Sequence, residues 1–425
     1  MRTAPPTTAP VIFLSAGEAS GEHYGALLAA ALSSHKTGPK AEGLEAYGMG
    51  GPCMAAAGVD CVVRAEDMAV MGLTEVVLHL PRIASEFQKL KRAIRARRPT
   101  AAVLIDFPEI HFRLARVFHQ LGVPVIYFVS PQLWAWKQHR IRLVRKYVKR
   151  MIVIFPFEEA FYRERGVTAE FVGHPLAELP PPSITREQFA AENRLDPART
   201  WISLLPGSRL TEIRDHLPTM LEAARLLPAA APNYQFLIPL APTLDARQRA
   251  AVFRLIDRHR AGLSIHPVTD ARAALLHARA SVVASGTATV EAALIGNPFI
   301  VVYRVSPVTY AIAKRVVKVP HVAMANLIAG KRVVPELIQH DFTAANIVQR
   351  LVPLLPDGPA RESMKEDLAA IRTALLKPAA ESGNNQSSAI ARAAEIVIEE
   401  IGSVSPAAPA PLNRDEESRR IETSQ

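Results

Sequence analysis

Two cysteines, Cys53 and Cys61, are all that the 425 residues contain, which excludes a disulfide scaffold and points to two reduced thiols in ordinary packing. No run approaches the ~18 apolar residues needed to cross a bilayer. The apolar run after the N-terminal decapeptide, Val11–Leu14, is shorter than the ~7–15 residues of an export-signal core. The chain is therefore expected in the cytosol, or at most peripheral to a membrane. Metal-site spacings are also missing: there is no Asp-x-Asp, no His-Glu-x-x-His and no Cys-x-x-Cys pair. Asp-x-Asp is a common way of holding a divalent cation on a diphosphate. Without it, any diphosphate that binds is expected to be balanced by cationic side chains and helix dipoles.

What is present is an ordinary globular composition. Hydrophobic residues make up 49% and charged residues 21%, enough for sizeable cores. A chain of this length is expected to form two domains, given ~100–200 residues per domain. The formal net charge of +10 favours anionic partners, whether nucleic acid, anionic lipid or phosphorylated substrate, without choosing among them.

Short non-alternating apolar runs alternate with amphipathic stretches. Strands are expected at Val11–Leu14, Ala101–Ile105, Val125–Val129, Met151–Phe155, Trp201–Leu205, Gln235–Pro239, Ser281–Ala284 and Phe299–Tyr303. Alternating strand–helix units imply parallel sheets covered on both faces. Two such blocks are separated by the proline-rich Leu179–Ser183. The expected fold is α/β, with two Rossmann-like halves and a cleft between them, residues 1–183 and 184–360. Helices over 361–401 and a disordered tail over 402–425 should follow. In such sheets ligands sit beyond the carboxyl ends of the strands, so motifs there matter most.

The first strand runs into Ser15-Ala-Gly-Glu-Ala-Ser-Gly21 and a helix. Gly17 and Gly21 permit a tight turn and close approach to a ligand, or serve packing alone. This turn is neither Gly-x-Gly-x-x-Gly nor a P-loop. Glu18 and Glu22 would sit awkwardly beside a phosphate, so a sugar-contacting loop including Ser20 is the functional reading. Gly48-Met-Gly-Gly51 reads better as a structural turn. Asp106 follows a strand, with Glu109 and His111 shortly after. A partly buried carboxylate near another acid can act as a general base, or it can cap the next helix. Ser130-Pro-Gln-Leu-Trp-Ala-Trp136, with Ser130 and Trp134, offers aromatic faces for a sugar or acyl chain, or for packing.

Leu205-Pro-Gly-Ser-Arg209 ends the first strand of the second block. Gly207 and Ser208 can present backbone N–H groups and Arg209 can grip a diphosphate. Ser285-Gly-Thr-Ala-Thr-Val-Glu291 joins a strand to a helix; Ser285, Gly286 and Thr287 suit a phosphate at a helix N-terminus, and Glu291 suits ribose hydroxyls. Together these read as a nucleotide-diphosphate site. Basic residues crowd 82–98 and 137–150, the first beside the apolar stretch Val70–Ile83. Apolar surface beside basic charge can dock on anionic lipid, and a buried helix with a solvated basic face has the same pattern.

These segments, with Ala69-Val-Met-Gly72, Phe155-Pro-Phe-Glu158, Gly173-His174 and Asn326-Leu-Ile-Ala-Gly330, occur in the order found in the lipid-A-disaccharide synthase family of GT-B glycosyltransferases. The chain resembles that family over roughly residues 11–400. The resemblance implies a metal-independent, inverting transfer without cofactor. The donor would be UDP-2,3-diacylglucosamine and the acceptor 2,3-diacylglucosamine 1-phosphate; the products would be a β-1,6-linked disaccharide and UDP. It implies that Asp106 takes the proton from the acceptor 6-hydroxyl, that Arg209 serves the diphosphate, and that Glu291 and Asn326 belong to the donor site. It further implies a swapped homodimer, C-terminal helices that cross back to the first domain or a partner, and contact of Val70–Ile83 with the cytoplasmic face of the inner membrane. Glu109 and Glu22 depart from the family's usual Asp by one methylene each.

The nearest rival is another UDP-sugar GT-B enzyme, an epimerase or a different hexosamine transferase, which would need no acyl groove. A nicotinamide-dependent oxidoreductase would need the glycine fingerprint in the first turn. A nucleic-acid-binding protein would leave the strand-end placement of Asp106 and Arg209 without a purpose.

Overall fold

The computed structural model describes residues 10–34, 44–68, 73–227, 234–260, 262–317, 319–376 and 388–403. Among the described residues, thirteen strands form two sheets. The first contains β1 (Val11–Ala16), β2 (Glu45–Gly50), β3 (Asp60–Arg64), β4 (Ala101–Ile105), β5 (Val125–Phe128), β6 (Arg150–Val153) and β7 (Ala169–Phe171). Their order across the sheet is β3-β2-β1-β4-β5-β6-β7. The second contains β8 (Thr200–Leu205), β9 (Tyr234–Pro239), β10 (Ile265–Val268), β11 (Ala280–Ala284), β12 (Phe299–Tyr303) and β13 (Glu336–Ile338), in the order β10-β9-β8-β11-β12-β13.

The described pairings are all parallel, as continuous apolar runs require. Every residue of β4 and of β11 is buried. In each sheet the chain steps outward from the first strand, then returns to its other side. The order therefore reverses between β1 and β4 and again between β8 and β11, which makes two topological switch points.

By compactness the chain divides into two units. One holds 1–129, 146–150 and 390–425; the other holds 130–145 and 151–389. Of the two helices expected to cross back, Pro359–Leu375 stays with the second unit, where Met364, Leu368, Ile371 and Leu375 join the core around β8–β13. The last helix, Ala389–Ser403, belongs from Ile390 to the first unit, and Glu399 and Glu400 lie 3.8 and 3.7 Å from Arg150. That helix runs to Ser403; residues 404–425 of the expected tail lie outside the described ones.

Val70–Met71-Gly72 lie outside the described residues as well. The rest of that apolar stretch begins the helix Leu73–Arg97, in which Leu80 is exposed. Among the described residues, no helix is long and apolar enough to cross a membrane.

Gly48, read from the sequence as part of a structural turn, lies within β2 and serves the sheet. A Cβ there would stand 2.0 Å from the Leu14 carbonyl oxygen of the neighbouring strand.

Candidate active site

Four of the motifs singled out in the sequence, Ser15–Gly21, Asp106, Leu205–Arg209 and Ser285–Glu291, fall at the carboxyl ends of strands flanking the switch points. In the first unit, β1 ends in Gly17-Glu18, followed by the helix Ala19–Ser34 that carries Ser20 and Gly21. Beside it β4 ends in Asp106, paired through Ala16↔Ile105. The two loops touch: a Cβ on Gly17 would lie 2.2 Å from the Phe107 ring, so only glycine admits that ring. Glu22 is turned to structural use, accepting a hydrogen bond from the Cys53 backbone N–H at 2.7 Å.

Asp106 and Phe107 have φ of +51° and +49°. Left-handed backbone costs a non-glycine residue about 1–2 kcal/mol, and two in succession are unusual. Phe107 is the N-cap of the helix Pro108–Gln120, and Pro108 continues it with a preset φ. Around Asp106 the backbone is held from both sides. Its N–H donates to the Phe128 carbonyl at 3.1 Å. Its carbonyl accepts from the Tyr127 hydroxyl at 2.5 Å and from His111 Nδ1 at 2.6 Å.

A carbonyl only accepts, so His111 carries its proton on Nδ1, and Nε2 accepts from the Ser15 hydroxyl at 2.8 Å. Burial pushes His111 down to about 4, which keeps the ring neutral. The Asp106 carboxyl is pushed up to about 7, first by burial and then by the charge of Glu18, with Glu109 adding a little and a Phe107 backbone hydrogen bond opposing. A partly buried carboxylate titrating near neutrality is suited to accept a proton from a hydroxyl.

The loop after β5 begins at Val129, φ +60°, an outlier for a β-branched residue. Ser130 and Trp134, expected to touch substrate, are 6% and 8% exposed. The Ser130 hydroxyl lies 2.8 Å from that of Tyr162, and the Trp134 indole N–H donates to Glu158 at 3.0 Å. Their polar atoms are thus spent inside the fold. The ring left at the surface is Trp136, 38% exposed, with the Lys137 amine 3.9 Å from its centre. Glu158 is buried, and desolvation pushes its carboxyl up to about 7 against several hydrogen bonds, the Trp134 indole foremost.

In the second unit, β8 ends in Pro206-Gly-Ser-Arg209, leading into the helix Leu210–Leu226. Gly207 has φ +123°, and a Cβ there would meet Glu212 at 2.5 Å. Glu212 was not singled out in the sequence. Its carboxylate accepts from the N–H groups of Ser208 and Arg209 at 3.1 and 3.4 Å, and from the Arg209 guanidinium at 3.2 Å. Ser208 and Arg209 are exposed. The Glu212 carboxylate thus already occupies these donors, and an anion would have to displace it to reach the helix N-terminus and Arg209.

His216, one turn further on, ties the loop to β12: it donates from Nδ1 to the Pro206 carbonyl at 2.7 Å and accepts from the Arg304 N–H at 3.0 Å. Beside β8, β11 ends in Ser285, whose N–H bonds the Val302 carbonyl, and Gly286 (φ +150°) is the N-cap of the helix Thr287–Ile295. Gly286 supplies no side-chain cap, and Gly286 and Thr287 are exposed at that N-terminus. Burial, eased by Arg272, raises the Glu291 carboxyl.

Asn326 departs from the donor-site expectation. It is fully buried, and its amide is saturated: Nδ2 donates to Val334 O and Glu336 Oε1, and Oδ1 accepts from Val333 and Val334 N–H. It shapes the turn before β13 rather than presenting a group to solvent.

Comparison with known proteins matches residues 12–391 to the family described as lipid-A-disaccharide synthetase. The chain belongs to the lipid-A-disaccharide synthetase family. It is 57% identical to the lipid-A-disaccharide synthase of Acidobacterium capsulatum, over 92% of this chain and 97% of that one. Among solved structures it is similar to the glycotransferase of kitacinnamycin, with a TM-score of 0.60 and 15% identity over 93% and 100% of the two chains. It is also similar to the UDP-GlcNAc 2-epimerase of Neisseria meningitidis bound to UDP-GlcNAc, with a TM-score of 0.57 and 13% identity over 93% and 100%. Those two likenesses show the GT-B fold. The family match makes the chain a hexosyltransferase of lipid A biosynthesis, acting on a UDP-sugar and a lipid-linked acceptor.

Proposed function

We propose that the chain transfers 2,3-diacylglucosamine from UDP to the 6-hydroxyl of 2,3-diacylglucosamine 1-phosphate, with Asp106 as general base and Arg209 as the cation on the diphosphate. The acceptor oxygen bonds to the donor's anomeric carbon as that carbon's bond to the UDP oxygen breaks. The hydroxyl proton passes to Asp106 and the bonding pair leaves with UDP. Attack opposite the leaving group inverts the centre and yields the β-1,6 linkage.

The reading is supported by a carboxyl raised toward neutrality at the first unit's switch point and, taken separately, by Arg209 and the exposed helix N-terminus at Gly286 in the second unit, in a chain of this family. Residues 1–183 would serve the acceptor and 184–360 the donor, with Gly207, Ser285, Gly286 and Thr287 offering N–H groups to the diphosphate, Ser208 joining them once Glu212 releases its N–H, and Glu291 giving a carboxylate to the ribose. Gly17, Glu18, Ser20 and Gly21 would line the acceptor side.

Charge neutralisation by Arg209 and helix N-termini requires no metal. The basic stretches at 82–98 and 137–150, with exposed Leu80 and Trp136, would rest on the cytoplasmic face of the inner membrane. The homodimer implied by the family resemblance belongs to the same reading.

The test is disaccharide formation by purified full-length protein from the two diacylated substrates, with detergent and a chelator. UDP release matched by disaccharide appearance is the expected result. No product from folded protein, with or without added metal, would sink this choice of substrates.

A further inference from the structure

Two side chains that the proposed chemistry does not use converge on the backbone of Asp106. Tyr127 reaches it from β5, where it stands opposite Leu104, and His111 reaches it from one turn into the following helix. Both donate to the same carbonyl oxygen, at 2.5 and 2.6 Å, filling its two lone pairs. That carbonyl belongs to the first of two consecutive left-handed residues, which ordinary backbone preference would move elsewhere. We propose that Tyr127 and His111 are positioning residues that hold the Asp106 carboxyl in its working direction by clamping this strained backbone, with Ser15 fixing the His111 tautomer.

Three further features fit. The Asp106 N–H is bound to Phe128 O, so the peptide groups on both sides of its Cα are anchored. The next residue's ring is seated over Gly17, where a side chain would displace it. His111 is fully buried and its two ring nitrogens are engaged by Ser15 and by the Asp106 carbonyl, so it offers no lone pair to a substrate. Its role is directional rather than a second base. A clamp acting on direction alone should affect turnover more than substrate binding.

This inference rests on the reading of Asp106 as the base, and Asp106→Asn serves as its control. Tyr127→Phe removes one hydroxyl and little volume. His111→Leu removes the other donor, and His111→Asn can return an amide N–H to the carbonyl. Each full-length variant is assayed with the two diacylated sugars for kcat, KM and the pH profile of kcat/KM, alongside UDP affinity and thermal stability.

We expect Tyr127→Phe to lower kcat about tenfold while KM and UDP affinity stay within about twofold. Its acidic limb should move to lower pH, because a released carboxyl turns toward water. His111→Leu should lose more, and His111→Asn should recover part of the loss. Unchanged kcat and an unmoved limb in Tyr127→Phe, with Asp106→Asn inactive, would overturn the clamp and leave the base assignment standing. Loss of UDP affinity and melting temperature in step with activity would also overturn it, in favour of packing alone. An active Asp106→Asn would instead overturn the base assignment.

Discussion

Within two residues of the ends of β4 and β5, the positive-φ residues are Asp106, Phe107 and Val129; within two residues of the ends of β8 and β11 they are Gly207 and Gly286. Glycine takes this backbone almost freely, whereas each of the other three costs about 1–2 kcal/mol. On the proposed reading, the second pair of loops brings backbone N–H groups up to a ligand, and glycine is the least obstructive way to do so. On the same reading the first pair needs a side chain at the bend itself, so glycine is unusable and hydrogen bonds to the Asp106 carbonyl supply the restraint instead. The proposal thus separates a unit that aims one carboxyl from a unit that offers donors.

The largest effect that would break this division is on turnover. Asp106→Asn should lower kcat by about 10³-fold, within the range for losing a general base, with UDP affinity unchanged in a calorimetric titration. It should also stabilise the fold at pH 8. The folded-state carboxyl titrates at about 7, above its unfolded value, so the folded chain binds more protons between the two and loses stability as pH rises through that window. Removing the ionisable group removes that loss, by roughly 1–3 kcal/mol in chemical denaturation.

Arg209→Ala should weaken UDP binding by about tenfold and slow transfer as well, since charge accumulates on the leaving diphosphate. Both effects are read from a UDP titration and a kcat measurement. A smaller effect sharpens the electrostatics of the first unit. Glu18 raises the Asp106 carboxyl by like-charge repulsion, so Glu18→Gln should move the acidic limb of kcat/KM to lower pH. A limb that stays in place would mean that burial alone sets it.

The smallest concerns strain away from both sites. Exposed Arg194 is the left-handed C-cap of the helix Arg186–Asn193, held by no comparable clamp in its role. Arg194→Gly should raise stability by about 0.5–1 kcal/mol in urea melts, with activity intact.

How much of this was readable in advance follows from burial. The eight strands named from apolar runs all form, and Ala101–Ile105 and Phe299–Tyr303 have the expected bounds. The strands without such a run include all four sheet edges, β3, β7, β10 and β13. An edge strand is covered on fewer sides and carries polar residues; β10 even contains Pro267, whose missing N–H an edge tolerates. Asp106 and Arg209, the proposed base and cation, could be singled out because the first directly follows a buried strand and the second closes the glycine turn after another. Glu212, His111 and Tyr127 were not, since their importance lies in backbone atoms they bind. The resemblance assigned Asn326 to the donor site, and the aromatic face of Trp134 was offered to a sugar or acyl chain or to packing; the Asn326 amide and the Trp134 indole N–H are engaged by Glu336 and Glu158 within the fold, which a motif alone does not reveal.

The division of labour is tested most directly by measuring UDP affinity for Gly17→Ala and Gly207→Ala against the unaltered chain. Each adds one methyl group, the first 2.2 Å from the Phe107 ring and the second 2.5 Å from Glu212 at a φ of +123°. Gly17→Ala should bind UDP within about twofold of the parent while losing turnover, and Gly207→Ala should bind about tenfold more weakly. Equal weakening by both, or weakening by Gly17→Ala alone, would contradict the assignment of the donor diphosphate to the second unit.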